Sequence, residues 1–405
     1  MIIRSFKKGW WPILLLTFFL IIFTNQTFSQ TTQPSLRINA RSAVLMDAPT
    51  GQILFEQNPQ LKIPPASFVK ILTLYVAFDA LRSGDLKLND LVTVSQKAWR
   101  IGGSKMFIKV GERVKVEDLI KGIAIVSGND ACVALAEHLA GSEETFILKM
   151  NEKAKSLGLK DSLFKNPHGL PAGNQYTTAL DMAVLAQRYI EDHPEALTFH
   201  STLEFEHQGI QQQNRNTLLR RDIGVDGLMT GHVEEAGYHL IATGKRGDQR
   251  LIAVVMGCES LRKRTREAQS LLEYGFKNFS LVEAVKKGTP LGFVKVKKGK
   301  LGKVQFIASG DGRVTVAKGK EDSITLTSEV PEFIMAPVQK GQVVGKVLIQ
   351  SEGRVLKEVA LLSSSDVSKG IFIPWPIIGG GILGLIILSL FGFWWIRRSQ
   401  RKRFQ

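Results

Sequence analysis

A serine and a lysine three positions apart, Ser67 and Lys70, stand where Pro64 and Pro65 give way to an apolar run over residues 68–81. Proline is poorly tolerated inside a helix and serine is a preferred N-cap, so the pattern predicts a helix that begins at or near Ser67. Residues at i and i+3 share one helical face. A lysine desolvated by apolar neighbours holds its proton less tightly and takes one from a nearby hydroxyl, which makes the serine a nucleophile. The spacing by itself is common, since Ser5/Lys8, Ser162/Lys165, Ser260/Lys263 and Ser399/Lys402 share it. Context separates Ser67 from these. Ser5 and Ser399 lie in charged flanks of hydrophobic segments, Ser260 in a basic polar stretch, and Ser162 after a turn with no long apolar helix behind it. The competing reading of Ser67 is an N-cap followed by a solvated lysine.

Two other short stretches carry polar groups of the right type. Ser127-Gly128-Asn129 follows the apolar Ile123-Ala124-Ile125-Val126. A hydroxyl and an amide two residues apart on a tight loop point into one cleft, the first to relay a proton and the second to bond a peptide amide. Taken alone it also reads as a turn plus an N-cap. Met229-Thr230-Gly231-His232 lies between Val225-Asp226-Gly227-Leu228 and Gly237-Tyr238-His239-Leu240. A strand edge there offers a hydroxyl and free backbone to an extended substrate, although a plain turn or edge strand fits equally well.

These residues need a scaffold. Residues 42–47 and 53–56, joined by Ala48-Pro49-Thr50-Gly51, read as a hairpin leading to the Ser67 helix. Helical spacing follows in 116–125, 131–139, 146–157 and 179–190, and strand-like runs return at 238–243 and 251–256 before a helix over 266–276. Strands first and last with helices between them predict one α/β domain whose antiparallel sheet is completed by both ends of the segment. Beyond Phe279, short alternating runs at 293–296, 304–307, 314–316, 324–326, 343–349 and 355–361 predict a small all-β domain.

The two ends of the chain have their own patterns. Arg4, Lys7 and Lys8, an uncharged run over 9–24 and a small residue at Ser29 read as a signal peptide. Residues 377–396 carry no charge, are flanked by Trp375, Trp394 and Trp395, and precede Arg397, Arg398, Arg401, Lys402 and Arg403, which predicts a transmembrane helix with a cytoplasmic basic tail. The expected organisation is a signal peptide over 1–29, the α/β domain over 30–279, the all-β domain over 280–362, a linker over 363–376, the span over 377–396 and the tail over 397–405. The formal charge of +16 includes three basic residues near the N-terminus and five in the tail, which leaves +8 between them. Such a surface suits anionic wall polymers or lipid head groups, and no nucleic-acid motif is present. Two cysteines, Cys132 and Cys258, make neither a disulfide framework nor a metal site and are expected as buried free thiols.

Taken in order, Ser67-Phe68-Val69-Lys70, Ser127-Gly128-Asn129 and a Thr-Gly strand resemble the serine acyl-enzyme set of penicillin-binding proteins and β-lactamases. Lys62-Ile63-Pro64-Pro65-Ala66-Ser67, Gly102-Gly103-Ser104-Lys105-Met106-Phe107, Asn166-Pro167-His168-Gly169-Leu170-Pro171 and Val225-Asp226-Gly227-Leu228 narrow the resemblance to the low-molecular-mass D-alanyl-D-alanine carboxypeptidases. It covers nearly the whole chain. The resemblance implies that Ser67 attacks a peptidoglycan stem peptide between its two terminal D-alanines, with Lys70 as proton acceptor and Ser127 as proton relay. Asn129 would hold the peptide amide, Thr230 on its Met229-Thr230-Gly231 strand and Arg264 would meet the terminal carboxylate, and the amides of Ser67 and His232 would form the oxyanion hole. It further implies β-lactam antibiotics as acylating inhibitors, attachment to membrane lipid with the catalytic domain in the periplasm, and neither metal nor organic cofactor. For His168, His232 and His239 the expectation is hydrogen bonding within the fold. The sequence departs from the family at Val69, where threonine is usual, and at Met229, where lysine is usual. The second departure removes a cation and motivates an alternative, a wall-peptide or β-lactam-binding protein that acylates poorly. An endopeptidase or β-lactamase is a further alternative.

Overall fold

The computed structural model describes residues 36–370 and 375–401. The expected signal peptide over 1–29, residues 371–374 of the expected linker and the last four residues of the tail lie outside them.

The sequence hairpin is present as Ser42–Asp47 paired antiparallel with Ile53–Gln57. Its first strand also pairs with Gln249–Cys258, from the far end of the segment. The five-stranded sheet runs Ile53–Gln57, Ser42–Asp47, Gln249–Cys258, Gly237–Arg246, Val225–Val233. Chain ends that are distant in sequence thus close one sheet. Val225–Val233, which carries the Thr-Gly pair, is an edge strand, with backbone groups open on one side.

Helices Val69–Ser83, Val116–Val126, Asn129–Ala140, Glu143–Ser156 and Ala179–Asp192 make the inserted layer. Hydroxyl caps start several helices: Ser142 accepts from Thr145 N, Thr178 from Asp181 N, and Ser260 from Lys263 N. Ser260, which the sequence placed only in a basic polar stretch, is thus a capping serine. Val69–Ser83 is buried nearly all round in its first half, from Val69 through Tyr75, so the nucleophile's helix is the centre of the apolar core.

The sequence put a helix start at or near Ser67, with an N-cap as the competing reading. Ala66–Phe68 forms a 3-10 turn, the α-helix starts at Val69, and no side chain caps either, so the N-cap reading fails. The Ser67 hydroxyl is engaged elsewhere. Short pieces that periodicity did not reveal are also present, including the strand pairs Leu91–Thr93 with Arg113–Lys115 and Glu204–His207 with Ile210–Gln213. Pieces of three or four residues are too short to show a period.

From Phe279 onward the chain is all strand, apart from one short 3-10 turn, up to Ser363. Its six-stranded sheet runs Ile324–Glu329, Val343–Ser351, Arg354–Ser363, Lys303–Ala308, Pro290–Lys297, Phe333–Met335, and Phe279–Val285 pairs separately with Gly312–Ala317. It has a hydrophobic core of its own, centred on Val294, Phe306, Val347, Ile349 and Leu361. A helix, Trp375–Arg401, follows, and its window 380–397 is long and apolar enough to cross a membrane.

Candidate active site

Ser67 lies on the floor of a cleft of about 640 Å³, shared with Ser127, Thr230, Gly231, His232 and Arg264. Its Oγ accepts from Lys70 Nζ at 3.0 Å and from Ser127 Oγ at 3.0 Å. The i,i+3 geometry survives the shift of the helix start, because the 3-10 turn feeds directly into the first α-turn.

Lys70 is fully buried. Its Nζ also donates to Asn129 Oδ1 at 2.8 Å and to the carbonyl of His168. Burial pushes its pKa down to about 8, and the Arg215 charge adds to the fall while Cys132 and Asp130 oppose it. Two of its three contacts are to pure acceptors. A neutral amine would spend its two hydrogens there and turn its lone pair to Ser67, which is the geometry of a general base.

The surrounding loops hold this arrangement through backbone groups. Asn166 accepts from Gly169 N at 2.6 Å and donates to Leu170 O at 2.9 Å, which shapes the turn that presents the His168 carbonyl to Lys70. Gly169 has φ +85°, and a Cβ there would lie 1.8 Å from Ala66 O, so only glycine lets this turn press on the Ser67 turn. Asp130 accepts from Met106 N, Phe107 N and Ile108 N at 3.0, 2.9 and 3.3 Å, and so fixes the segment that includes Gly103 and Ser104 on the cleft wall.

Ser127 ends Val116–Val126 in the left-handed conformation, with φ +60°, which turns its hydroxyl to Ser67. Asn129 begins the next helix with no capping role; its Nδ2 donates to Gly102 O at 2.8 Å. On the opposite wall, Gly231 brings the edge strand against the nucleophile's turn, since a Cβ there would lie 3.3 Å from Ser67 N. His232 is exposed and stacks on Tyr238, with ring centroids 4.1 Å apart. Asp226 is tied by a two-pronged ion pair to Arg250, at 2.8 and 2.7 Å, which locks this strand to the sheet.

Met229 does not reach the cleft. It is 2% exposed and belongs to the apolar core, opposite Ile241 in the neighbouring strand. Met229 shares its face of the strand with Gly231, which meets the Ser67 turn, and Thr230 takes the other face. Packing into the apolar core, rather than alternation, keeps Met229 out of the cleft lining. The cleft is nonetheless cationic. Arg215, Arg220 and Arg264 line it, and no acid does. Among the described residues, none of the three has a carboxylate within ion-pair distance. Arg215 Nε donates to Val126 O at 2.8 Å. Arg264 is 5% exposed, burial lowers its pKa to about 10, and its Nε has no hydrogen-bond partner among the described residues. Sequence reasoning missed Arg215 and Arg220. Arg215 sits in a polar loop, Gln213-Asn214-Arg215-Asn216, whose only signal was a basic residue among amides, and Arg220 ends the 3-10 turn Thr217–Arg220 that follows.

His168 and His239 work within the fold, as expected. His239 Nε2 lies 3.1 Å from Pro64 O and its Nδ1 accepts from Gly257 N, so it bridges the sheet to the turn before Ser67. His168 is buried, and its Nε2 lies 3.5 Å from Glu143. Cys132 and Cys258 are buried free thiols.

Comparison with known proteins places this geometry. Residues 27–260 match the family described as D-alanyl-D-alanine carboxypeptidase, and residues 279–369 match the C-terminal domain of penicillin-binding protein 5. The D-alanyl-D-alanine carboxypeptidase DacC of Escherichia coli (strain K12) is 40% identical over 363 residues, which cover 87% of this chain and 91% of that protein. The crystal structure of penicillin binding protein 5 from Haemophilus influenzae superposes with a TM-score of 0.79 at 38% identity, over 82% of this chain and 99% of that one. Penicillin-binding protein D2 from Listeria monocytogenes, solved with ampicillin bound, has a TM-score of 0.56 at 30% identity, over 60% of this chain and 100% of that one.

Proposed function

The chain belongs to the D-alanyl-D-alanine carboxypeptidase family of serine peptidases, and from that premise we propose that Ser67 is the nucleophile that removes the terminal D-alanine of a peptidoglycan stem peptide. The observation that carries this assignment is the placement of one hydroxyl, Ser67 Oγ, 3.0 Å from both a buried lysine and a second hydroxyl at the floor of a cationic cleft. Lys70 takes the Ser67 proton as Oγ bonds to the carbonyl carbon between the two D-alanines. The oxyanion is met by the amides of Ser67 and His232, which the Gly231 approach brings to the same end of the cleft. The carbon–nitrogen bond then breaks. Ser127 protonates the leaving amine, and the proton taken by Lys70 restores the relay. Water hydrolyses the Ser67 ester, releasing the shortened peptide and returning a proton to the serine.

Specificity for a C-terminal carboxylate follows from charge. Arg264 Nη1 donates to Gly231 O and His239 O, and its Nε has no partner among the described residues. Arg264 and Arg215 line a cleft without acids and have no carboxylate partner among the described residues, and a carboxylate beside Thr230 pairs with them. They replace the cation that Met229 removes, so no observation favours the poorly acylating alternative. Asn129 keeps one amide hydrogen free of the bond to Gly102, available to a peptide carbonyl. β-Lactams acylate Ser67 by the same attack.

We further read residues 30–279 as the catalytic domain, 280–362 as the all-β domain and 377–396 as a single membrane span, with the catalytic domain in the periplasm. D-Alanine release by the detergent-solubilised full chain, from a peptide ending in D-Ala-D-Ala, tests the function. Release by the parent that disappears in Ser67→Ala is expected. No release from the parent, with activity gained in Met229→Lys, overturns the assignment of the arginines.

A further inference from the structure

The all-β domain carries a one-sided surface that catalysis does not use. Along Pro290–Lys297 the side chains alternate, with Val294 and Val296 buried and Phe293, Lys295 and Lys297 exposed. Lys295 faces Lys303 across the antiparallel pair and Phe333 across the parallel one, while Lys297 faces Met335. Like charges directly opposite each other on one face are destabilising. The exposed Glu332, 3.8 Å from Lys295, offsets one of the three lysines, while Lys297 and Lys303 lie over the Phe333 and Phe293 rings. Phe293 and Met335 are 56% and 48% exposed. Between Glu283 and Asp311 the chain has seven lysines and no acid.

The position of this face names its partner. The turn that joins Pro290–Lys297 to Lys303–Ala308 is tied to the end of the domain: Gly299 bridges Lys369, and Gly370 N donates to Lys298 O at 2.9 Å. The apolar helix begins at Trp375, five residues after Gly370. Five residues reach at most about 17 Å. Gly370 is therefore held within that distance of the start of the helix, and Leu301, 54% exposed, lies at the tip of the turn to which Gly370 is bonded.

We propose that this face lies on the bilayer into which the helix is inserted, with its lysines on the phosphates of anionic phospholipids and Leu301, Phe293 and Met335 at the interface. The inference rests on reading Trp375–Arg401 as a membrane helix. Lysines near an anionic membrane surface each add to attraction, and exposed apolar side chains seat in the headgroup boundary. The contact fixes the all-β domain against the membrane, so that the tether does not leave the catalytic domain free to tumble. A wall polymer is the competing anion, but it would account for neither the exposed apolar side chains nor the short tether.

The test uses the full chain reconstituted in vesicles of phosphatidylcholine alone, or of phosphatidylcholine mixed with phosphatidylglycerol. An environment-sensitive fluorophore is placed on Leu301→Cys, since both native cysteines are buried. A blue shift of emission in the anionic vesicles, absent in neutral ones and reversed by salt, is expected. The combined Lys295→Glu, Lys297→Glu and Lys303→Glu variant should lose the shift while still floating with the vesicles and releasing D-alanine. Flotation of the parent without any shift overturns the contact while leaving the membrane helix intact. Failure of the parent to float overturns the membrane reading and the contact with it. A shift produced by purified wall glycan and not by anionic vesicles assigns the face to the wall and refutes the proposal.

Discussion

Replacing Arg215 by glutamine should move the pH dependence of acylation upward. The base in the proposed mechanism is neutral Lys70, whose pKa burial lowers to about 8. At pH 7 roughly 10% of Lys70 is then neutral, against roughly 0.03% at the ordinary lysine value, a gain of about 300-fold in competent enzyme. The Arg215 charge contributes to that fall. Without it the lysine proton is held more tightly, and each unit of upward shift costs about tenfold in rate at pH 7. Acylation by a fluorescent penicillin, followed in single turnover between about pH 6 and pH 10, should rise with pH to a plateau whose midpoint is higher in Arg215→Gln. Arg220→Gln is the control, since Arg220 lines the cleft and is not among the groups that shift Lys70. The midpoint separates this effect from weaker carboxylate binding, which lowers the rate at every pH. A flat profile for the parent, or an Arg215→Gln midpoint that stays or falls, refutes the placement of the proton on Lys70.

Other perturbations follow from the geometry. Gly169→Ala forces a Cβ to within 1.8 Å of Ala66 O, so it should destabilise the fold by about 1–3 kcal/mol in urea titrations and slow acylation as the Ser67 turn shifts. Asp130→Ala strips the acceptor from the Met106, Phe107 and Ile108 amides, and a loss of at least about 2 kcal/mol is expected by the same measurement. His200 and His239 are buried, and desolvation lowers both pKa values to about 4. The unfolded chain therefore binds more protons between about pH 4 and 6.5, so their contribution is fully present above pH 6.5 and is lost as the pH falls, by up to roughly 3 kcal/mol each. Denaturation midpoints at pH 5 and pH 7 should differ less in His239→Gln than in the parent.

The sequence alone determined those features that are local or periodic. The hairpin, four inserted helices, the closing strands and the all-β texture follow from the alternation or 3.6-residue recurrence of apolar side chains, which any buried face must show. Ser67, Lys70, Ser127 and Thr230 were legible because their types and order restrict the chemistry. What tertiary structure decided depends on groups distant in sequence. The helix expected at or near Ser67 starts at Val69 after a 3-10 turn, and the Ser67 hydroxyl, instead of capping it, accepts from Lys70 and Ser127, the second of them 60 residues away in sequence. Met229 packs into the apolar core although it shares a strand face with Gly231, which meets the Ser67 turn, a placement that strand alternation alone does not report. Arg215 acquired a role only when a loop 145 residues after Lys70 folded over the same cleft. Periodicity cannot report such a contact, because charge acts through space and chain order does not measure that distance.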